Sequence, residues 1–389
     1  MLRQALISLG LCSFVMGAVC AEPDERNSEI RLVRSLQAIN DNRLDIALSE
    51  VDDLLSINPN FKLAQLVKGD LLMARAGALD DFGSVANAPR EEIEGLRDEA
   101  MVRLQRVLSQ TDSHLAPHFF WQLAPQQKYA LVVDTSRSTL LVYENVKGEA
   151  RYVTDFYVTI GKLGADKVAE GDQRTPVGVY FVESELSKSQ LADFYGNGAF
   201  PLDYPNEWDR KNQHTGSGIW LHGTASDTYS RPPRASNGCV VLANDDLKKL
   251  ASYLQVGVTP IIITNRMIWR SDEGQSERST LLQAIEKWRA DWSSRDTDAY
   301  LEHYARDFSN GSMNYMAWAK QKQIVNSGKS WIKVGLSSVS MFTYPDQPDL
   351  VVVNFEQDYS SSNLSSSMKK RQYWIKQDNQ WKIIYEGAG

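Results

Sequence analysis

The chain has 389 residues, of which 42% are hydrophobic and 23% are charged, a composition typical of globular proteins. Its length predicts two or three domains. The formal net charge of −7 argues against a nucleic-acid partner, because binding to phosphates requires a basic surface.

The first residues have the pattern of a secretory signal. Arg3 gives a charged start, and residues 5–19 form an apolar run that is closed by small residues. This run is too short to span a bilayer comfortably. We therefore expect residues 1–21 to be a cleaved signal peptide and the mature protein to be periplasmic. A buried N-terminal helix and a lipoprotein cysteine at Cys20 are the alternatives.

Cysteine usage isolates one thiol. The chain contains only Cys12, Cys20 and Cys239, and cleavage after Ala21 leaves Cys239 alone. A lone thiol in an oxidising compartment is a liability unless it is protected or used. A buried apolar cysteine and an intermolecular disulfide are the alternatives to a functional thiol.

Residues 28–118 have the pattern of a helical region. Apolar residues recur at spacings of three and four over residues 30–77 and again over residues 91–108. Helix, short turn and helix with an Asn-Pro junction resemble a tetratricopeptide unit. A small helical bundle that packs on the next domain is the alternative.

Residues 127–266 predict a mostly-β domain with a mixed sheet. Here the apolar period changes to short runs of strand-forming residues that are separated by polar turns. Asn244-Asp245-Asp246 is predicted to cap a helix that continues to about residue 254, with its acidic residues in the first turn. The strands are predicted at 129–134, 139–143, 152–160, 177–182, 219–222, 240–242 and 258–264.

The last part of the chain predicts an α+β domain over residues 276–387. Residues 271–279 are polar and predict a linker. Two helices followed by antiparallel strands are typical of an α+β layout, and Asp378-Asn379 predicts a hairpin turn. The helices are expected at 280–293 and 298–308, and the strands at 337–344, 350–359, 369–377 and 380–385.

The candidate chemistry lies in two short segments that a loop separates. One is His222-Gly223-Thr224 and the other is Ser236-Asn237-Gly238-Cys239. The thiolate is the nucleophilic form of cysteine, and a nearby imidazole can take its proton or hold it as an ion pair. We predict that Cys239 is the nucleophile of an acyl-transfer site and that His222 is its base. His214, in a polar loop that we expect to be exposed, is the rival base.

Backbone groups complete the predicted site. Gly238 allows a tight turn, and the amides of Asn237, Gly238 and Cys239 are candidates to hold an oxyanion. The carbonyl of Gly223 or a nearby backbone oxygen is expected to orient the imidazole, with Asp227 as the alternative. We expect no metal or cofactor, because no His, Cys and carboxylate cluster has ligand spacing. His114 and His118 are interpreted as structural.

Three segments resemble the YkuD-type L,D-transpeptidase family of peptidoglycan enzymes. They are residues 132–143, residues 171–178 (GDQRTPVG) and the pair of site segments, and together they cover about residues 127–264. The family usually has His where this chain has Asn237, and it often has Arg where this chain has Val241. These departures leave the nucleophile and the base in place.

The resemblance implies the reaction. Cys239 would attack the diamino acid carbonyl at position three of a stem tetrapeptide. D-alanine would depart, and a thioester on Cys239 would remain. An amine acceptor then gives a 3–3 crosslink, whereas water gives carboxypeptidation; attachment or detachment of an envelope lipoprotein uses the same chemistry. Arg174 and Arg234 are candidates to hold a substrate carboxylate. The further substrate-binding candidates are Ser236, Thr224 and Trp220.

The flanking parts extend the resemblance to cell-shape-determining proteins of helical proteobacteria, some of which trim tetrapeptides to tripeptides. The tail resembles the SnoaL-like cone fold, and we expect its regularly spaced aromatic residues to form core. A glycan or envelope-protein partner and a homodimer are hypotheses for this domain. The transpeptidase is our first prediction, with an L,D-carboxypeptidase and a non-catalytic envelope scaffold as the alternatives.

Overall fold

The computed structural model describes residues 28–77, 81–83, 88–108, 115–270 and 272–389. The predicted signal peptide at 1–21 and His114 lie outside these residues. Within them, no helix combines the length and the apolar character that crossing a bilayer requires.

The N-terminal region is helical, as predicted. Its buried residues include Leu32, Val51 and Phe61, which form one apolar cluster between the helices. The turn after the first helix uses Asn42 in the left-handed region, with φ of 60°. The helices are α1 (Ser28–Asn40), α2 (Leu44–Ile57), α3 (Lys62–Ala76) and α4 (Arg90–Leu108).

Twelve strands are found between the helical region and the third domain in the part of the chain that the structure describes. Two short helices interrupt them, α5 (Glu207–Lys211) and α6 (Asn244–Ala251). The strands are β1 (Phe120–Gln122), β2 (Tyr129–Asp134), β3 (Thr139–Val146), β4 (Glu149–Tyr157), β5 (Ile160–Gly161), β6 (Gly178–Phe181), β7 (Leu186–Ser187), β8 (Gly198–Pro201), β9 (Trp220–His222), β10 (Arg234–Ser236), β11 (Val240–Val241) and β12 (Pro260–Thr264).

The central domain is built on two sheets that share a core. The larger sheet has the strand order β4-β3-β2-β12-β6, in which only the β2–β12 pair is parallel. The smaller sheet has the order β11-β9-β8-β7. Alternate residues such as Leu131 and Val133 point into the core that also holds Leu221 and Val240. This is the mixed-sheet domain that the sequence predicts.

The third domain begins earlier than predicted. Residues 271–279 were expected to be a linker, but a helix starts at Asp272 and continues to Ser294, so that prediction is wrong. The Asp378-Asn379 hairpin is confirmed, because both residues have positive φ, 48° and 60°. The elements are α7 (Asp272–Ser294), α8 (Thr297–Glu302), β13 (Tyr304–Ser309), α9 (Tyr315–Ser327), β14 (Ile332–Tyr344), β15 (Gln347–Ser361), β16 (Leu364–Gln377) and β17 (Gln380–Ala388).

The sheet of the third domain recruits a strand from outside it. Its order is β1-β14-β15-β16-β17-β13, so β1, from the connector before the central domain, forms one edge. Sequence analysis did not predict this strand, because three residues give too short a pattern. The regularly spaced aromatic residues lie in the core, as expected; Trp288, Tyr300 and Phe308 are all buried.

The central and third domains are packed face to face. Ala130 and Val132 of β2 point away from the central core and join a cluster that contains Phe342, Val352 and Tyr373 of the third domain. The larger central sheet is therefore covered on both faces. Because this cluster is shared, the third domain supports the larger sheet of the central domain.

Candidate active site

The register of two short strands brings Cys239 and His222 together. Strands β9 and β11 are parallel neighbours, with Val240 opposite Leu221 and Val241 opposite His222. Leu221 and Val240 are fully buried in the central core. Side chains alternate along a strand, so Cys239 and His222 project from the opposite face as diagonal neighbours.

The Cys239 sulfur has two backbone partners. Its thiol donates to the carbonyl of Gly218 across 3.3 Å, and the amide of Trp220 donates to the sulfur. Burial raises the pKa of the Cys239 thiol, while this amide and the positive charges of Arg231 and Lys167 act in the opposite direction. The resting residue is therefore a neutral thiol.

The His222 imidazole is held in one tautomer. Its Nδ1 lies 2.7 Å from the carbonyl oxygen of Gly223. A carbonyl only accepts, so Nδ1 carries the proton and Nε2 is the basic nitrogen. This is the orienting contact that the sequence suggests for Gly223.

Burial keeps this imidazole uncharged. The side chain is 1% exposed, and burial lowers the pKa of His222 to about 4, although the bond to Gly223 opposes the shift. Within the described ranges no hydrogen bond joins the Cys239 sulfur to the ring. The resting pair is thus neutral, which favours a general base over a preformed ion pair.

An aromatic wall that sequence reasoning missed stands beside the imidazole. The short 3₁₀ helix Asp193–Tyr195 places the Phe194 ring 5.9 Å and the Tyr195 ring 5.1 Å from the His222 ring, centroid to centroid. The Trp220 ring lies 4.9 Å from that of Tyr195. Adjacent aromatic residues before Gly196 were the only sequence signal. Phe194 is 51% exposed, so the wall is open to a ligand.

The turn before the nucleophile is supported by the segment 171–178. Gly238 has φ of 127°, and a Cβ there would lie 2.7 Å from the carbonyl oxygen of Arg174. Thr175 donates from its hydroxyl to the carbonyl of Gly238 and accepts from the amide of Gly161, each across 2.9 Å. The segment therefore holds the turn that presents Cys239.

Hydrogen bonds in this turn occupy two of the predicted site groups. The amide of Gly238 donates to the Ser236 hydroxyl across 3.1 Å, so it is not available to an oxyanion in this structure. The amides of Asn237 and Cys239 remain as candidates. The Ser236 hydroxyl donates to the Cys239 carbonyl across 2.6 Å and is 3% exposed, so it holds the turn, and its substrate-binding role stays a prediction.

The Thr224 side chain is buried in a loop contact, and its substrate-binding role stays a prediction. This residue is 1% exposed, and its hydroxyl donates to the carbonyl of Tyr229 across 3.2 Å. Its own carbonyl accepts from the Asn244 side chain across 2.8 Å. Asn244 was predicted to cap a helix, but the N-cap is Ala243 and Asn244 joins two loops instead, since its oxygen accepts from the Asn197 amide.

The remaining candidates have different surroundings. Arg174 is half-buried and donates to the carbonyl of Ala165 across 2.9 Å, whereas Arg234 is exposed on β10. Trp220 is half-buried in the aromatic wall. The substrate-binding roles of these three residues stay predictions.

Two alternative residues have other partners. His214 is half-buried, not exposed, and its Nδ1 lies 3.3 Å from Oδ1 of Asp209. Asp227 is exposed and accepts from the hydroxyl of Thr228. Neither residue orients His222. No group of three or more potential metal-binding side chains occurs in the described part of the chain.

Comparison with known proteins identifies the family. Bd1075 from Bdellovibrio bacteriovorus is 32% identical; the match covers 71% of this chain and 98% of that chain, with a TM-score of 0.62. Residues 128–263 match the L,D-transpeptidase (YkuD) catalytic domain. This chain belongs to the YkuD L,D-transpeptidase family. The enzymes of this family modify peptidoglycan through a cysteine, so the resemblance seen in the sequence is confirmed.

The third domain of this L,D-transpeptidase family member also has relatives. Residues 280–387 match the Cds6 C-terminal NTF2-like domain, which confirms the cone-type fold.

The helical cell shape determining protein Pgp2 from Campylobacter jejuni is 25% identical, with 71% of this chain and 96% of that chain covered and a TM-score of 0.60. No functionally curated protein matches the chain. Helices α1–α4 lie outside both family models.

Proposed function

We propose that this protein is an exported peptidoglycan acyltransferase in which Cys239 cleaves the bond between the diamino acid and D-alanine of a stem tetrapeptide. The observation that carries the proposal is the diagonal placement of Cys239 and His222 on the same face of β9 and β11, with His222 held in the tautomer that leaves Nε2 basic. Export is inferred from the pattern of residues 1–21.

The first half-reaction forms an acyl-enzyme. Nε2 of His222 takes the proton of the thiol as Cys239 attacks the diamino acid carbonyl. Backbone amides, with those of Asn237 and Cys239 as candidates, stabilise the developing oxyanion. The carbon–nitrogen bond to D-alanine then breaks, and its amine receives the proton from His222. A thioester on Cys239 remains.

The second half-reaction depends on the acceptor. His222 takes a proton from an amine or from water, the acceptor attacks the thioester, and the sulfur leaves and regains the proton. An amine gives transpeptidation and water gives carboxypeptidation. The second candidate is therefore an L,D-carboxypeptidase, in which water is the acceptor.

The likeness to Pgp2, which is described as a helical cell shape determining protein, supports a role in cell shape for either activity. A glycan or envelope-protein partner of the third domain stays a hypothesis. A cavity of 860 Å³ lined by Tyr304, Tyr315, Lys320 and Lys382 is one place where such a partner could bind.

The test is incubation of the purified protein with disaccharide tetrapeptides, followed by mass spectrometry. Tripeptide monomers identify the carboxypeptidase, and crosslinked dimers identify the transpeptidase. Cys239→Ala is the control and should abolish both products. Turnover that persists in this variant would exclude Cys239, and inactivity of the wild type on every acceptor would favour the scaffold alternative.

A further inference from the structure

A cation stands beside the catalytic face without being part of the predicted chemistry. The guanidinium of Arg231 lies 4.4 Å from the centroid of the Phe194 ring and donates to the carbonyl of Phe194 across 3.3 Å. The Phe194 ring is in turn 5.9 Å from that of His222. Arg231 therefore belongs to the same wall as the imidazole.

The charge of Arg231 is not neutralised by a carboxylate. Its contacts are a ring and a carbonyl, and the described residues place no Asp or Glu oxygen within 4.0 Å of it. The other cation near the sulfur, Lys167, is by contrast paired with Asp172 across 2.8 Å. Arg231 acts electrostatically on both catalytic groups, lowering the pKa of Cys239 against the effect of burial and lowering that of His222.

The loop that carries Arg231 is fixed from both sides. The hydroxyls of Tyr157 and Thr159 donate to the Arg231 carbonyl across 2.9 and 3.0 Å. On the other side, the hydroxyl of Ser230 donates to Glu99 of α4 across 2.7 Å. The backbone that carries the guanidinium is therefore held in place, which restricts where its charge can lie.

Strand β11 has no positively charged side chain two residues after Cys239. The position two residues after the nucleophile is Val241, which is 2% exposed and lies opposite His222 in the register of β9 and β11. Strand β11 therefore has no cation at this position, whereas the loop before β10 carries Arg231.

We propose that Arg231 binds the terminal carboxylate of the residue that leaves during acylation of Cys239. The site would then select peptides that end one residue after the scissile bond over peptides whose terminus is amidated or extended. The identity of the peptide rests on the proposed function, whereas the carboxylate site beside the thiol does not.

The first test uses two thiol reagents that differ in one carboxylate. Iodoacetate and iodoacetamide both alkylate Cys239 with release of iodide, but only iodoacetate presents an anion to Arg231. The measured quantity is the rate constant for iodoacetate divided by that for iodoacetamide. We expect Arg231→Gln to lower this ratio at least about tenfold, because a charge-assisted contact is lost. Arg231→Lys should retain most of the ratio. Arg151→Gln, which removes a guanidinium that is 69% exposed on β4, should leave it unchanged.

An equal ratio in the wild type and in Arg231→Gln would overturn the proposal, whatever the effect on either single rate. A merely structural role of Arg231 would slow both reagents together and leave the ratio intact. If Arg231→Gln does not fold, the salt dependence of the wild-type ratio decides, since raised ionic strength should lower it; a ratio that does not respond to salt would contradict the proposal.

The second test separates the site from the reaction. Wild-type protein should prefer a tetrapeptide with a free terminus over its C-terminal amide in kcat/KM, and Arg231→Gln should lose at least about tenfold of that preference. Discrimination between the alkylating reagents without turnover of either peptide would refute the proposed function and still support the carboxylate site. Turnover with an undiminished preference in Arg231→Gln would refute the site alone.

Discussion

Ser230 donates its hydroxyl hydrogen to Glu99 across 2.7 Å, and this bond joins the helical region to the loop between His222 and Cys239. Beside it, the buried Arg103 pairs with Glu99 across 2.9 Å, and its guanidinium lies 3.7 Å from the centroid of the Tyr157 ring. The helical region, which neither family model includes, is therefore part of the wall that fixes the catalytic loop.

Two helix glycines test this contact as a matched pair. A Cβ at Gly95 would lie 3.1 Å from Pro232 of the loop, whereas a Cβ at Gly69 would meet nothing within 4 Å. Gly69→Ala should raise the free energy of unfolding by about 0.5–1 kcal/mol without changing kcat, because alanine is the better helix former. Gly95→Ala should gain less stability and lower kcat, because Pro232 and its loop must move. Equal effects of the two variants in denaturant titration and kinetics would show that the loop is independent of the helices.

The pH dependence of thiol alkylation tests the neutral resting pair. Burial raises the pKa of Cys239 and lowers that of His222 to about 4. The rate of alkylation by iodoacetamide should therefore rise throughout the range from pH 6 to 9, with no thiolate plateau. An ion pair would instead give a constant rate from about pH 5 upward, since the thiolate would already be formed. A plateau at neutral pH would contradict the neutral pair.

Stability should also depend on His222. In the unfolded chain the imidazole binds a proton near pH 6.5, whereas the folded protein keeps it neutral down to about pH 4. The unfolded state therefore binds more protons in this window, and the free energy of unfolding should fall as the pH is lowered from 6.5 to 4. The contribution of this group is about 3 kcal/mol. In urea titrations, His222→Gln should show a correspondingly smaller loss, and identical pH profiles would refute the assignment.

The hydroxyl of Thr175 tests the support of the nucleophile turn. Thr175→Val keeps the shape of the side chain but leaves the Gly238 carbonyl and the Gly161 amide without this partner, at a cost of about 1–3 kcal/mol. We expect slower acylation of Cys239, measured by mass spectrometry, because the turn is no longer held. Thr175→Ser retains the hydroxyl and should retain most of the rate. Comparable losses in both variants would point to packing and not to the hydrogen bonds.

The core that the central and third domains share can be tested with one phenylalanine. Phe342 of β14 is fully buried, with its ring 6.2 Å from that of Phe181 on β6 of the larger central sheet. Phe342→Ala should lower the free energy of unfolding by about 3–5 kcal/mol. Leu364→Ala, at a 54% exposed position on β16 of the third-domain sheet, should change the free energy of unfolding by less than about 0.5 kcal/mol.

The same core predicts the effect of deleting the third domain. Removing residues 276–389 should expose the apolar face of β2. We expect the truncated protein to be less soluble or to bind a hydrophobic dye, and not to form an intact catalytic unit. A truncated protein with normal thermal unfolding would show that the two domains fold independently.

Much of the site was visible in the sequence because its chemistry is local. The dipeptides His222-Gly223 and Gly238-Cys239 can be recognised from their residue types alone. Few residue types can act as base and nucleophile, and glycine indicates a tight turn. The alternating strands and the helical period also follow from local side-chain patterns, and so the order of the three domains could be predicted.

By itself, then, the sequence determined which thiol and which imidazole are the candidate nucleophile and base and in which kind of domain they lie, because these depend on residue identity and short-range periodicity. Only the tertiary structure decided that both groups rest uncharged, since burial by distant elements sets their pKa values. It also decided that Ser236 and Thr224 hold loops and that Arg231, with no carboxylate partner among the described residues, stands over the Phe194 ring of the aromatic wall. Those outcomes depend on contacts between segments far apart in the chain, for which a single sequence has no periodic signal.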